Sequence, residues 1–495
     1  MRNEVKSASG GKTRKWELAI ELLCVFLAPL EAVASLLKRQ PKLYKILLLA
    51  LLTGWTVFVV SPRTALANAV SVNSASLNDT PGSGQATITF NVSQQNPFGN
   101  VAFDSIAFSD YIWVFIKFST TSGSDGSWGH CILADGGTIT PTADTLGVFI
   151  RSSTAGTGGN NFTVIWNYAA NSVGAIDANT IVKVCAIEMV EIPTGSFYFN
   201  AGGIGITTGN FDGTLCYDGT GTNDGADQVL ITAANQNVSL DASWPNGYTG
   251  FYLAKYEVSQ QQFCDFLNTI TATSAAGRYA STNYNQYGYL ITNTGSSPIT
   301  YTTTAPNRAC NWLSWADTVA YLSWTALRPM TEMEFEKAAR GTSGGTNTRT
   351  YPWGNTEPSV TTGTVDSGVH YIQYANHGAT EGAKPILVGW YLSQGYAPAN
   401  REWTGASPYG VADLAGNVWE HLINCDWTTV PANGNGTITP PASWPGTFSG
   451  KGIRGGGWNI APSFLVQVRI SDRNNAGWLY AVRVNYVGSR PARTK

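Results

Sequence analysis

The chain has 495 residues, enough for two or three domains, each able to bury a core. Only 13% of residues are charged and the formal net charge is −2. No basic patch or stripe stands out, which argues against a nucleic-acid partner. Low charge with 53 glycines, 17 tryptophans and 22 tyrosines suits an exported, β-rich or loop-rich protein.

The N-terminus reads as a targeting segment. Lys38, Arg39, Lys42 and Lys45 precede the apolar run Ile46–Val60, and Ala65-Leu66-Ala67 follows as a small-x-small cleavage site. This predicts a signal peptide with a long n-region over residues 1–67, removed before Asn68. The apolar run is short for a spanning helix. Membrane contact is therefore expected only through the leader, where it stays uncleaved. The expected location is extracellular, cell-surface or periplasmic. Seven cysteines become six once Cys24 leaves with the leader. Six permit three disulfides, or buried structural thiols, and no CxxC points to a zinc ribbon or redox motif.

Residues 68–188 predict an all-β domain, a sandwich of the immunoglobulin-like kind. Short alternating runs such as Ala86–Phe90, Tyr111–Phe118, Phe162–Trp166 and Ile181–Val184 are separated by Gly, Ser, Asn and Asp clusters. Asp110, His130 and Asp135 read as surface polar groups, and no acid–base pair suggests catalysis. A spacer or docking module is expected.

The character changes at Glu188, and residues 189–495 predict an α+β domain. Phe251–Val258 reads as a strand feeding a helix, with capping-box spacing at Ser259 and Gln262. Phe263, Phe266, Leu267 and Ile270 then share one apolar helical face. Coil is expected over residues 272–307. A second helix starts at Ser314, with Asp317 in the capping position. The third has Thr331 as N-cap, Glu334 three residues on, and Arg340 and Gly341 as its stop. Tyr351–Asn355 forms an aromatic turn. Gly416-Asn-Val-Trp-Glu420 and Arg454-Gly-Gly-Gly-Trp458 follow, and then a β-former run carrying Arg469, Arg473 and Arg483.

Together these residues resemble the formylglycine-generating enzyme (sulfatase-modifying factor) family. The segments that carry the likeness are Met189–Phe197, Lys255–Leu267, Arg328–Gly341, Tyr351–Asn355, Gly416–Glu420 and Arg454–Trp458, in the family's order. The resemblance implies a loop-rich, C-type-lectin-like fold for the second domain. It also implies an oxidation that uses two cysteines, five apart, shortly after the glycine segment, to hold copper. Copper(I) requires soft thiolates. In the register that keeps Arg469 and Arg473 on family arginines, those positions are Ile460 and Leu465, and no cysteine follows Cys425. No copper is expected. An iron site would need converging histidines, whereas His370, His377 and His421 are scattered.

The resemblance further implies a structural calcium ion. The carboxylates of Asp413 and Glu420 and the carbonyls of Gly416 and Val418 would hold it, an all-oxygen set suited to a hard cation. The competing reading has Glu420 paired to an arginine and Asp413 capping a turn. Trp458, Asn459, Arg469, Arg473, Trp478 and Tyr480 are the candidate ligand-binding residues; the arginines serve equally to lock loops by internal pairing, and the aromatics to fill the core. The function expected is an exported, non-catalytic recognition protein for a protein or glycan ligand. The alternatives are a metal-dependent oxidoreductase with a different active site, and a structural subunit of a surface layer or secretion machine.

Overall fold

The computed structural model describes residues 70–80, 82–94, 101–103, 106–108, 110–151, 160–200, 228–233, 243–342, 351–355, 362–365, 368–371, 376, 384–393, 404–460, 467–473, 475–479 and 481–495. Strands dominate and helices are few. One element organises the rest: the strand Ile181–Ile192. Its first ten residues pair antiparallel with Asp110–Ser119, from Ile181 opposite Ser119 to Val190 opposite Asp110. Its last four, Met189 to Ile192, pair with Phe251–Ala254 on the other side. The Pro491–Thr494 strand extends the same sheet beyond Phe251–Ala254. The boundary expected after Glu188 thus falls within an unbroken strand, and Ala65–Lys495 form one compact unit.

Period-two alternation explains the first half. Gln85–Gln94 buries every second residue, and Ile88, Phe90 and Val92 meet Ile112, Val114 and Ile116 of the facing sheet. Strand Asp110–Ser119 is buried on both faces. Its alternate residues Trp113 and Phe115 join a second core with Phe263, Phe266, Tyr321 and Trp324. This accounts for its unbroken apolar run: each face has its own core to fill. Trp113 Nε1 donates to the Thr325 carbonyl at 2.9 Å. Lys117, on the same face, donates to the carbonyls of Trp324 and Gly436 at 2.6 and 2.7 Å.

Two expected surface groups are interior. Asp110 is fully buried and ion-paired to Lys255 at 2.7 Å. His130 is 8% exposed, with Nδ1 2.9 Å from Lys117 Nζ. Both lie where the first sheet meets the second core, so burial there follows from the shared sheet. Asp135 is exposed.

The three predicted helices form with their capping boxes, at Ser259/Gln262, Ser314/Asp317 and Thr331/Glu334. Residues 272–307, expected as coil, contain the helix Ala272–Arg278, capped by Thr271, and a hairpin of Ile291–Asn293 with Tyr301–Thr303. The Thr271 hydroxyl accepts from Ser274 N, which supplies the nucleus that composition concealed. Cys131, Cys185, Cys264 and Cys310 are free thiols, so three disulfides do not form; Cys425 is disulfide-bonded.

Candidate functional site

The glycine stretch rests on the helix Glu332–Arg340. Strand Lys451–Arg454 pairs with Trp419–Ile423, which also runs parallel to Val487–Ser489. Arg454 then points into the interior. Its Nη1 lies 2.7 Å from Glu332 Oε1, its Nη2 lies 3.6 Å from Glu336 Oε2 and also donates to the Ile470 carbonyl. Arg473 Nε reaches the same Glu332 oxygen at 2.7 Å, and its guanidinium lies 4.3 Å from the centre of the Phe199 ring. Arg473 is 1% exposed and Arg454 wholly buried. Gly456 has φ +73, and a Cβ there would stand 2.5 Å from Val468. The turn therefore needs glycine for both conformation and space.

The described sequence-predicted ligand residues separate into half-buried and interior ones. Trp458 is 5% exposed, stacks on Tyr287 at 5.3 Å, and donates from Nε1 to the Asn485 carbonyl at 3.2 Å. Asn459 is half-buried and its Oδ1 has no hydrogen-bond partner. Arg469 is half-buried. Trp478 is half-buried at the edge of an apolar cluster containing Tyr351, Trp353, Trp419, Ile460 and Val487. Ile460, where the resemblance would place a thiolate, is 4% exposed inside that cluster. Leu465 and Tyr480 lie outside the described residues. Arg473 is an internal ion-pair partner rather than part of an open face. Arg483, half-buried, pairs with Asp317 at 2.8 Å.

A second cluster gathers around Gly416-Asn-Val-Trp-Glu420. Asp413 (φ +58) accepts from Gly389 N at 2.5 Å through Oδ2. Glu420 Oε1 is 2.7 Å from Arg490 Nε and 2.6 Å from its Nη2. Arg490 also donates to the carbonyls of Ala254 and Ala412. Glu257 accepts from Asn417 Nδ2 at 3.1 Å and Val418 N at 3.3 Å. Asp413, Glu420 and Glu257 are each at most 7% exposed. Burial pushes the Asp413 carboxyl up to about 6. It also raises Glu420 and Glu257, and the neighbouring Asp413 charge adds to both shifts.

Three buried carboxylates thus face one arginine, and Glu420 Oε2 has no hydrogen-bond partner. Both halves of the competing reading of Asp413 and Glu420 are realised, since Glu420 pairs with Arg490 and Asp413 accepts from a turn amide. Glu420 Oε2, a buried oxygen without a hydrogen-bond partner, is a donor of the expected calcium set that stays open. Gly416, at φ +82, passes so close to Asn376 that a Cβ would lie 2.5 Å from its carbonyl oxygen. Among the described residues, no three His, Cys, Asp or Glu side chains form a group able to hold a metal ion. His421 is buried, 3.3 Å from the Leu313 carbonyl, and burial lowers it to about 3.

Sequence reasoning missed Glu257, Arg490, Glu332 and Arg454 as members of these clusters. Lys255 and Glu257 flank Tyr256 at the end of an apolar strand, and charges in such a place signal buried partners. Nothing local pointed to the other three.

A profile described as the sulfatase-modifying factor enzyme 1-like domain matches residues 181–494. The formylglycine-generating enzyme of Bos taurus is 26% identical over 314 residues, covering 58% of this chain and 70% of that protein. The hercynine oxygenase of Mycolicibacterium smegmatis is 32% identical over 173 residues, 33% of this chain and 32% of its own length. The inactive C-alpha-formylglycine-generating enzyme 2 of Mus musculus is 33% identical over 138 residues, 28% of this chain and 38% of its own.

Proposed function

Since the chain belongs to the sulfatase-modifying factor family, we propose that it is an exported, non-catalytic recognition protein on a C-type-lectin-like scaffold. One observation carries this reading. Ile460 fills an apolar cluster where the resemblance calls for a metal-binding thiolate, and no cysteine follows Cys425. A branched aliphatic side chain cannot ligate copper(I). The relative from Mus musculus that is named inactive supports the same direction. The recognition face comprises Asn459, Arg469 and Trp478, with the exposed Leu479 and Val482 beside them, and the buried Trp458 supports it from beneath. Its ligand is a protein or a glycan. Trp478 and Tyr287 offer flat surfaces for stacking. The disulfide at Cys425 supports export, because such bonds persist in oxidising compartments.

Calcium is the cofactor proposed, with a structural role. The carboxylates of Asp413 and Glu420 and the carbonyls of Gly416 and Val418 would hold it, Glu420 through the Oε2 that has no hydrogen-bond partner.

The test uses purified full-length protein, copper(I), oxygen and a peptide bearing the sulfatase cysteine motif. No formylglycine is expected by mass spectrometry. Multiple turnovers to the aldehyde would overturn the reading in favour of an oxidoreductase.

A further inference from the structure

A cavity of about 410 Å³ opens between the end of the helix Ala272–Arg278, the start of the helix Trp315–Trp324 and residues 481–483. Its volume is within the range of ligand pockets. Val482, a member of the recognition face, stands in its wall and is 63% exposed.

The charged residues of the described lining are Arg278, Arg483 and Asp317. Arg483 turns one edge of its guanidinium to Asp317, with Nε 2.8 Å from Oδ2 and Nη2 3.0 Å from Oδ1. Nη2 also donates to the Gly277 carbonyl at 2.7 Å, whereas Nη1 makes no hydrogen bond among the described residues. Asp317 is 2% exposed, and its Oδ2 accepts further from Ser314 N at 3.0 Å and Ser314 Oγ at 2.6 Å. This carboxylate is committed to its own arginine and its own helix cap.

Arg278 is in a different position. It is half-buried in the cavity wall, with one hydrogen bond, from Nη1 to the Ser274 carbonyl at 3.4 Å. Its Nε is enclosed without a partner, so the Nη atoms are what it offers to the opening. Among the described residues it has no carboxylate of its own. Burial lowers its pKa, the Asp317 charge opposes that shift and the Arg483 charge adds to it. Asn283, also in the wall, accepts from Thr282 Oγ1 through Oδ1 at 3.3 Å and keeps Nδ2 as a donor. The side chains open to the cavity are therefore donors, with one positive charge more than the described carboxylate matches. Their complement is a singly charged oxyanion with a neutral acceptor beside it.

We propose that this cavity, which shares Val482 with the recognition face and so rests on that reading, binds the carboxylate of a small hydroxy acid of the hexuronate kind. The carboxylate would lie between the Nη atoms of Arg278 and Nη1 of Arg483, since guanidinium and carboxylate match in shape and charge. A ligand hydroxyl would accept from Asn283 Nδ2, and the carbon frame would pack on Ala316 and Val482. A monoanion fits the single charge in excess, whereas a dianion would bring negative charge to spare beside Asp317.

The experiment is calorimetric and NMR titration of the full chain with D-glucuronate, D-glucose and sulfate. Saturable binding of glucuronate is expected, with glucose and sulfate each at least about tenfold weaker, the size of a lost charge-assisted hydrogen bond. Arg278→Gln brings glucuronate to the level of glucose. Val482→Glu, at an exposed position, sets a carboxylate at the rim and weakens glucuronate without lowering the unfolding midpoint. Equal binding of glucuronate and glucose overturns the proposal, and so does sulfate binding as tight as glucuronate, which marks a site for inorganic anions. An unchanged affinity in a folded Arg278→Gln or the absence of saturable binding overturns it too. Should Arg278→Gln fail to fold, Val482→Glu and the wild-type comparison decide. Aldehyde formation in the peptide assay would end the recognition reading and leave a measured glucuronate affinity standing. Absent glucuronate binding would end this site and leave that reading to its own assay.

Discussion

Glu420 and Arg454 are register partners on adjacent strands, yet each sends its side chain to a different buried charge cluster. Around Arg454, among the described residues, three arginines and three carboxylates are gathered. Arg340, Arg454 and Arg473 stand with Glu332, Glu336 and Asp472, all nearly inaccessible to solvent. Around Glu420, among the described residues, Glu257, Asp413 and Glu420 all face Arg490. A buried ion-pair cluster fixes geometry, and removing one member strands the rest. The segment that resembles a catalytic centre is the closed cluster around Arg454. The turn that resembles an ion site is the one where, among the described residues, three carboxyls face one arginine.

The largest effect is expected from breaking the Arg454 cluster. Glu332→Ala leaves Arg454 and Arg473 buried without their shared carboxylate and should cost about 3–5 kcal/mol by denaturant titration. A loss under about 1 kcal/mol would mean that the two arginines find other partners, and the cluster would not be the lock described.

The next effect concerns the Glu420 cluster. In excess calcium over chelator, unfolding should shift upward, by about 2.7 kcal/mol at a concentration a hundredfold above Kd. Glu420→Gln should remove that increment whatever its own basal cost. An increment that persists in Glu420→Gln, or none in wild type, would sink the calcium assignment.

Lys117 offers a calibration, as one cation with no carboxylate within pairing distance among the described residues. Burial lowers it to about 7, against an ordinary value of 10.5. Between these values the unfolded chain holds the proton more tightly than the native one, so stability rises as pH rises from about 7 towards 10.5. Comparing wild type with Lys117→Met isolates this component, because other groups that titrate in the range are shared. A difference that is flat with pH would show that the two carbonyls and His130 keep Lys117 charged.

The smallest effect belongs to Arg483→Ala. Its pair with Asp317 is partly solvated on the arginine side, so the loss should stay under about 1 kcal/mol by thermal melting. A larger loss would place Arg483 with the interior arginines.

Legibility in the sequence tracked distance along the chain. Each capping box spans three residues, and all three predicted ones form, because the groups that make the contact are neighbours before anything folds. Ala272–Arg278 was hidden by low-contrast composition, although its Thr271 cap was equally local. The alternating strands of the first half were readable for the same reason, their period being a property of the backbone. Glycine placement at Gly455–Gly457 marked a tight turn but not what it approaches.

The amino-acid sequence by itself determined three of the helices with their caps, most strands of the first half and the absence of a cysteine after Cys425. Only the tertiary structure decided that Ile181–Ile192 would join both halves in one sheet, that Asp110 would meet Lys255 across 145 residues, and that Arg473 would meet Glu332 across 141. Such pairs carry no local signature. A buried charge must be matched where the chain path brings it, and that path is set by packing two cores against opposite faces of one strand.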